Sequence, residues 1–331
     1  MKIIIPVAGA GTRLRPHTLS RPKPLLTVAG KPILAHIIDP LLDLDPSEII
    51  LVIGHMGDQI AEWATARYKV PVRFVVQDRL HGLGYAIHLG MSHVESGPLL
   101  IVLGDTIAQC DLKAFVGAGK NVLGLRSVDD PRRFGIAETA NGTITRLIEK
   151  PEKPTSNLAI IGLYSFADAR SLKSILASHV QSDKRTRGEI QLTDALQRML
   201  EDGEQITPFE VANWFDCGKK ETMLETNRVL LDGIGNATSV NGARIMPPVW
   251  VGKGVEMQNA KIGPYVTIDD YAKISSSTIS NSVIGRRSVV EGAVVRDSLV
   301  GDEARIVGNA DGKELVLNIG DYSEVADALS V

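Results

Sequence analysis

The sequence predicts an α/β domain built on a mixed, mostly parallel sheet, with a parallel β-helix behind it. Three observations carry this. Short apolar runs alternate with helical stretches through the first half of the chain. A glycine-rich, arginine-bearing loop, VAGAGTRLRP at 7–16, follows the first of those runs directly. Past residue 240 a branched aliphatic residue recurs every five or six positions. With 331 residues the chain is long enough for two domains, each with its own core.

Residues 2–7 (KIIIPV), 49–53 (IILVI), 72–77 (VRFVVQ) and 99–103 (LLIVL) are short, branched and apolar on both faces, as strands buried in a parallel sheet are. Between them, 32–44, 58–67 and 84–95 carry helical spacing. Such alternation makes a Rossmann-like sheet with crossover helices. Ligands in these sheets lie beyond the carboxyl ends of the strands. The 7–16 loop follows strand one and GDT (104–106) follows the 99–103 strand, so both are expected on the same edge. Segments 134–138, 144–149 and 159–166 read as strands of a mixed extension, with helices over 167–178, 190–202 and 221–233.

The repeat runs through Ile262, Ile268, Ile274, Ile279, Ile284, Val290, Val295, Val300 and Ile306, with Gly263, Gly285 and Gly301 each just after one of these positions. This hexapeptide period marks a parallel β-helix, expected to be left-handed, whose coils stack on one another; an ordinary antiparallel β domain is the plainer alternative. The expected boundaries are 1–237 for the α/β domain and 238–331 for the β-helix.

Composition excludes several classes. Net charge is −3, so no basic field points to nucleic acid. Two cysteines, Cys110 and Cys217, form no disulfide framework and suit a reducing cytosol, so a cytoplasmic protein is expected. No apolar run nears the roughly 18 residues that span a bilayer. The opening MKIII resembles a signal peptide only until Pro6 breaks it and Arg13 arrives.

The 7–16 loop matches neither common nucleotide fingerprint. In a G-x-G-x-x-G loop Gly9 and Gly11 fit, but the third place is Leu14 and Pro16 follows. The nearby Gly30-Lys31 is followed by Pro32 and lacks the upstream glycine of a P-loop. A turn whose backbone N–H groups and arginine hold a triphosphate directly remains, beside the plain turn that any glycine pair can make.

The wider segment AGAGTRLRPHTLSRPKPLLTVAGKPIL (8–34) resembles the signature of sugar-1-phosphate nucleotidylyltransferases, the nucleotide-sugar pyrophosphorylases. Ala8 stands where that family commonly has glycine. The resemblance continues in order through VQDRLHGLGYAI (76–87), LGDT (103–106), FGIAE (134–138), IEKPEKPTSNLAIIGLYSF (148–166), RGEIQLTDAL (187–196) and NWFDCGKKETMLETNRVLL (213–231). A β-helix tail is typical of the longer, glucose-1-phosphate thymidylyltransferase-like members.

The resemblance implies a nucleotidyl group passing from a nucleoside triphosphate to a sugar-1-phosphate, with pyrophosphate released. Two polyanions must meet, and two unit charges 4 Å apart repel by about 4 kcal/mol at an effective dielectric near 20. Cations are therefore required, and positioning with charge neutralisation supplies most of the catalysis. The resemblance implies nucleotide binding by Ala8, Gly9, Gly11, Thr12, Arg13, Lys23, Gln77 and Gly82. It implies sugar-phosphate binding by Gly135, Glu149, Lys150 and the main chain at Ile160. Asp105 and Asp216 are the implied ligands of Mg2+, and the implied catalytic set is Arg13, Lys23, Asp105, Lys150 and Asp216. Glu149 and Lys150 are adjacent, and adjacent strand residues face opposite ways, so both reach one ligand only across a bulge or turn near Pro151. Asp111 reads better as the cap of a following helix than as a ligand. His17, His81 and His88 read as packing or surface residues.

The expected substrates are dTTP and glucose-1-phosphate, with UTP and, further off, GTP with mannose-1-phosphate as alternatives. A nucleotide-sugar-binding regulatory protein without activity is the rival of a different class. All seven histidines lie at or before His179, so the repeat has none for acyl transfer. A β-helix that builds a homo-oligomer is expected instead.

Overall fold

The computed structural model describes residues 1–233, 240–308 and 312–326. It divides into two compact units: Met1–Gly9 with His36–Phe215, and Ala10–Ala35 with the chain from Asp216 onward. The boundary expected at 237/238 falls at residues 234–239, outside the described residues.

The first unit is a nine-stranded mixed sheet. Strands Val72–Val76, Glu48–Ile53, Lys2–Pro6 and Leu99–Val102 lie side by side and parallel. Leu158–Phe166 joins antiparallel beside Leu99–Val102. Asn121–Ser127 and the hairpin Gly135–Ala140/Thr143–Glu149 both pair with Leu158–Phe166, and Thr207–Glu210 runs parallel to Asn121–Ser127. The four apolar runs expected as parallel strands are those strands. Glu48–Ile53 is buried along its whole length, as a central parallel strand must be.

Helices Leu83–Gly90, Arg170–Gln181 and Leu192–Glu201 cover one face of this sheet through Ile4, Ile50, Ile101, Ile87, Leu172 and Leu196. Each such side chain contributes about 1.5–3 kcal/mol on burial. A Cβ on Gly90 would lie 3.0 Å from Ile4, so the missing side chain lets the helix sit close to the first strand.

The second unit is a left-handed β-helix carrying an extra segment. Three five-stranded parallel ladders run along it. The nine predicted aliphatic residues form three columns: Ile262–Ile279–Val295, Ile268–Ile284–Val300 and Ile274–Val290–Ile306. All nine are buried. Gly285, Gly301 and Gly320 stack at one corner, where a Cβ on either of the first two would strike the backbone of the next coil.

Residues 10–35 belong to this unit, and little of their own structure holds them. They form three 3-10 turns and a two-residue ribbon, Thr27–Val28 with Lys31–Pro32. Buried Asn227, on helix Lys220–Asp232, ties the segment down: its Oδ1 accepts from the Ala29 amide at 2.9 Å and from Thr267 Oγ1 at 2.7 Å. Among the described residues no helix is long and apolar enough to cross a membrane.

Candidate active site

Ala8, Gly9, Gln77, Gly82, Asp105, Gly135, Glu149, Lys150 and Ile160 lie in the first unit; Gly11, Thr12, Arg13, Lys23 and Asp216 lie in the second.

In the first unit the parallel pairing of Lys2–Pro6 with Leu99–Val102 brings their carboxyl ends to one edge, as the sequence implied. Ala8 follows the first strand and is buried against Gly54, whose missing side chain leaves room for the Ala8 methyl. Space around Gly9 is open. Gly104 crosses the end of the first strand, where a Cβ would meet the Pro6 carbonyl at 2.7 Å. Asp105, half-buried, follows it. The Asp105 and Glu149 carboxylates both bear on the buried Tyr164 hydroxyl, whose pKa is raised by burial first and then by those two charges.

Buried Gln77 ends the Val72–Val76 strand and donates from Nε2 to the Arg79 carbonyl at 2.9 Å. Gly82 opens the next helix at φ 103°, a left-handed conformation that only glycine adopts easily. A Cβ there would lie 2.7 Å from the Ile190 carbonyl oxygen. The Gly84 amide donates to that carbonyl and the Ile190 amide to His81, each at 2.8 Å, so the 76–87 and 187–196 motifs brace one another.

Glu149 ends its strand, and Lys150 follows at φ 42°. This left-handed residue turns the chain, and Lys150 Nζ comes to 3.1 Å from Glu149 Oε1. The other oxygen, Oε2, accepts from Thr193 Oγ1 at 2.6 Å. A Cβ on Gly135 would stand 3.0 Å from that Oε2, from Ile160 Cδ1 and from Thr193 Oγ1. Glycine at 135 thus lets three groups close in, two of them, Glu149 and Ile160, singled out from sequence. Leu158–Phe166 shifts register between Ile160 and Tyr164, with Gly162 at φ 86° inside the shift. Thr193 and Tyr164 carry no signal of their own in the sequence, although both sit in the motifs quoted above.

In the second unit Gly11 takes φ 61° and precedes the 3-10 turn Thr12–Leu14. A Cβ on Gly11 would lie 3.0 Å from Lys23 Cβ and from Thr18 Cγ2, so the turn closes against the lysine stem. Thr12 and Arg13 are exposed and Lys23 is buried. Asp216 ends the strand Asn213–Asp216. A Cβ on Gly218 would lie 2.8 Å from Asp216 Oδ1 and 3.0 Å from Arg13 Nη2, so the carboxylate and the guanidinium flank one glycine. Asp111 caps the helix Leu112–Gly117, accepting from the Ala114 amide at 2.9 Å. His17 is buried, with Nε2 3.0 Å from Asn318 Oδ1, which is a packing role.

A glycine-rich turn leaving the carboxyl end of a parallel strand, with cations and carboxylates in the motifs that follow, defines an α/β protein that handles nucleotides. Residues 2–233 match the nucleotidyl transferase family, and the chain belongs to it. It is 32% identical to the low-salt glycan biosynthesis nucleotidyltransferase Agl11 of Haloferax volcanii, over 98% of this chain and 99% of that one. It is 30% identical to the bifunctional protein GlmU of Methanococcus vannielii, over 96% of this chain and 84% of that one. A crystal structure from Bacillus anthracis, of a protein provisionally named a glucose-1-phosphate thymidylyltransferase, is 31% identical, with a TM-score of 0.61, and covers 72% of this chain and 97% of its own. The chain is therefore a nucleotidyltransferase, an enzyme of the phosphoryl-transfer class.

Proposed function

We propose that this enzyme transfers a nucleotidyl group from a nucleoside triphosphate to a sugar-1-phosphate and releases pyrophosphate. The observation that carries the acceptor is the turn at Lys150. It sets an ammonium beside a carboxylate that Thr193 orients and that packs close to Gly135. A sugar phosphate asks for that pair: a cation for its phosphate and an acceptor for its hydroxyls.

A phosphate oxygen of the sugar attacks the α-phosphorus in line, and the bond to pyrophosphate breaks. No general base is needed, because the attacking oxygen is already anionic. We assign Arg13 to the leaving pyrophosphate through its planar fork, and Lys23 to phosphate as a point charge. The main chain at Ala8, Gly9, Gly11 and Thr12 supplies further N–H groups, and Gln77 and Gly82 lie on the base side. Glu149, Lys150, Gly135 and the Ile160 main chain hold the sugar phosphate.

Asp105 and Asp216 are the residues we assign to Mg2+. Magnesium takes one or two carboxylates and completes its shell with water and substrate phosphate. When bound, the ion neutralises charge on the transferring phosphate.

For the particular substrates we favour dTTP and glucose-1-phosphate, supported by the names of two relatives, the glucose-1-phosphate thymidylyltransferases of Streptomyces antibioticus and Streptomyces griseus, 27% and 28% identical over 98% of this chain. UTP is the first alternative. We take 1–237 as the catalytic domain and 238–331 as a β-helix that builds a homo-oligomer, a state that light scattering on the full chain reads directly. The deciding experiment is a pyrophosphate-release panel of dTTP, UTP, GTP and ATP against glucose-, galactose-, mannose- and N-acetylglucosamine-1-phosphate. Turnover is expected with at least one pair and fastest with dTTP and glucose-1-phosphate. No turnover with any pair removes the sugar-phosphate assignment.

A further inference from the structure

Three aspartates at turns of the β-helix share one hydrogen-bonding arrangement. Each accepts at Oδ1 from a β-helix amide and at Oδ2 from the 10–35 segment. Asp269 Oδ1 accepts from the Asp270 amide at 2.8 Å and Oδ2 from Thr27 Oγ1 at 3.0 Å. Asp302 Oδ1 accepts from the Arg286 amide at 3.0 Å and Oδ2 from the Arg21 guanidinium. Asp321 Oδ1 accepts from the Asp302 amide at 2.8 Å and Oδ2 from Ser20 Oγ at 2.7 Å. Asn318 adds the contact to His17.

The corner is shaped for this approach. Gly285 and Gly301 line the same small cavity as Arg21 and Thr27, and a Cβ on Gly320 would already lie 3.1 Å from Pro16. The coils are cross-linked by three parallel ladders and do not move easily. The segment they hold has only single 3-10 turns between Thr12 and Leu25, and those turns carry Arg13 and Lys23. Such turns do not fix a side chain alone.

We propose that Asp302 and Asp321, helped by Asp269, are positioning residues for nucleotidyl transfer. They fix the 10–35 segment so that Arg13 and Lys23 stand where the triphosphate requires them. The β-helix is then a working part of the nucleotide subsite, beyond any role in assembly. This rests on the nucleotide role given above to Arg13 and Lys23.

The test is steady-state kinetics on full-length Asp302→Asn, Asp321→Asn and the double variant. Asparagine still offers Oδ1 to the coil amide, so the coils keep their bonds. Its NH2 cannot accept from Arg21, so Asp302→Asn removes that anchor, while at 321 it can only donate to the Ser20 hydroxyl, which replaces a charged bond by a weaker neutral one. For the double variant we expect kcat/KM for the triphosphate to fall about 10- to 100-fold, the range a displacement near 1 Å causes. KM for the sugar-1-phosphate stays within about 2-fold, and the melting temperature stays within a few degrees. Arg21→Gln, which leaves every coil untouched, shifts the same parameter in the same direction and decides the matter should an asparagine variant fail to fold. Wild-type kcat/KM for the triphosphate in the folded double variant, or in Arg21→Gln, overturns the proposal. Arg13→Gln runs alongside: if it too is fully active, the nucleotide role of Arg13 has failed; if it is inactive beside an active double variant, only the positioning role has.

Discussion

Lys150 Nζ stands 3.1 Å from Oε1 of Glu149, the residue immediately before it. In an extended strand the two side chains would face opposite ways. The left-handed backbone at Lys150 brings them together. Lys150→Gly keeps that backbone at no steric cost and removes the ammonium together with its alkyl stem. We expect its melting temperature to stay within a few degrees of wild type. A charged hydrogen bond is worth about 2 kcal/mol, so KM for the sugar-1-phosphate should rise about 30-fold. Unchanged KM for the sugar phosphate, with KM for the triphosphate raised instead, would move Lys150 to the nucleotide side.

A Cβ on Gly218 would stand against both the Asp216 carboxylate and the Arg13 guanidinium. The Gly218 backbone is not left-handed, so alanine is tolerated there except for space. The added methyl would press on Asp216 Oδ1 and Arg13 Nη2, both at the ends of side chains that can swing aside. The fold should survive and the two groups should shift. Gly218→Ala is expected to lose about 10- to 100-fold in kcat/KM with little change in melting temperature. Full activity would show that the placement of these two ends does not limit the reaction.

Much of this fold was legible because the relevant signals are periodic. The nine aliphatic residues of the tail repeat every five or six positions, and coil stacking turns that period into three buried columns. The four apolar runs of the sheet are equally plain. Strands Thr106–Gln109, Thr207–Glu210 and Asn213–Asp216 were not legible. TPFE and NWFD carry proline, acid or amide, and only their partners make them strands. The site divides in the same way. The need for a turn beside Glu149 followed from strand geometry, and the chain makes it at Lys150, one residue before the proline suspected of it. Thr193, Tyr164 and Gly218 owe their places to contacts across the fold that no local pattern announces. Asp269, Asp302 and Asp321 are likewise unmarked in the sequence, and only the stacked coils bring them to the 10–35 segment.

Asp105 follows the Leu99–Val102 strand and Gly104 in the turn beyond it. Asp105→Asn keeps the shape of the side chain and removes the charge that would hold magnesium. Turnover should fall to near background, with circular dichroism and melting temperature close to wild type. Chelation of the wild-type enzyme should stop the reaction, and added Mg2+ should restore it. Wild-type rates for Asp105→Asn in metal-controlled buffer would contradict the metal role.

His17 gives the fold a dependence on pH. Burial pushes its imidazole pKa below the ordinary 6.5, outweighing Asn318 and the Asp321 and Asp302 charges, which act the other way. The unfolded chain takes a proton near pH 6.5, while folded His17 resists one until the pH is lower. Between those two values the unfolded state binds more protons, so stability present above pH 6.5 is lost as the solution is acidified. His88 and His179 are lowered by burial too and act with the same sign. The melting temperature should therefore fall as pH drops from about 7.5 to about 5.5. His17→Gln has nothing to protonate at that place and should show a shallower fall. Equal slopes for the two proteins would assign the loss to His88, His179 or other groups and leave His17 without a share in it.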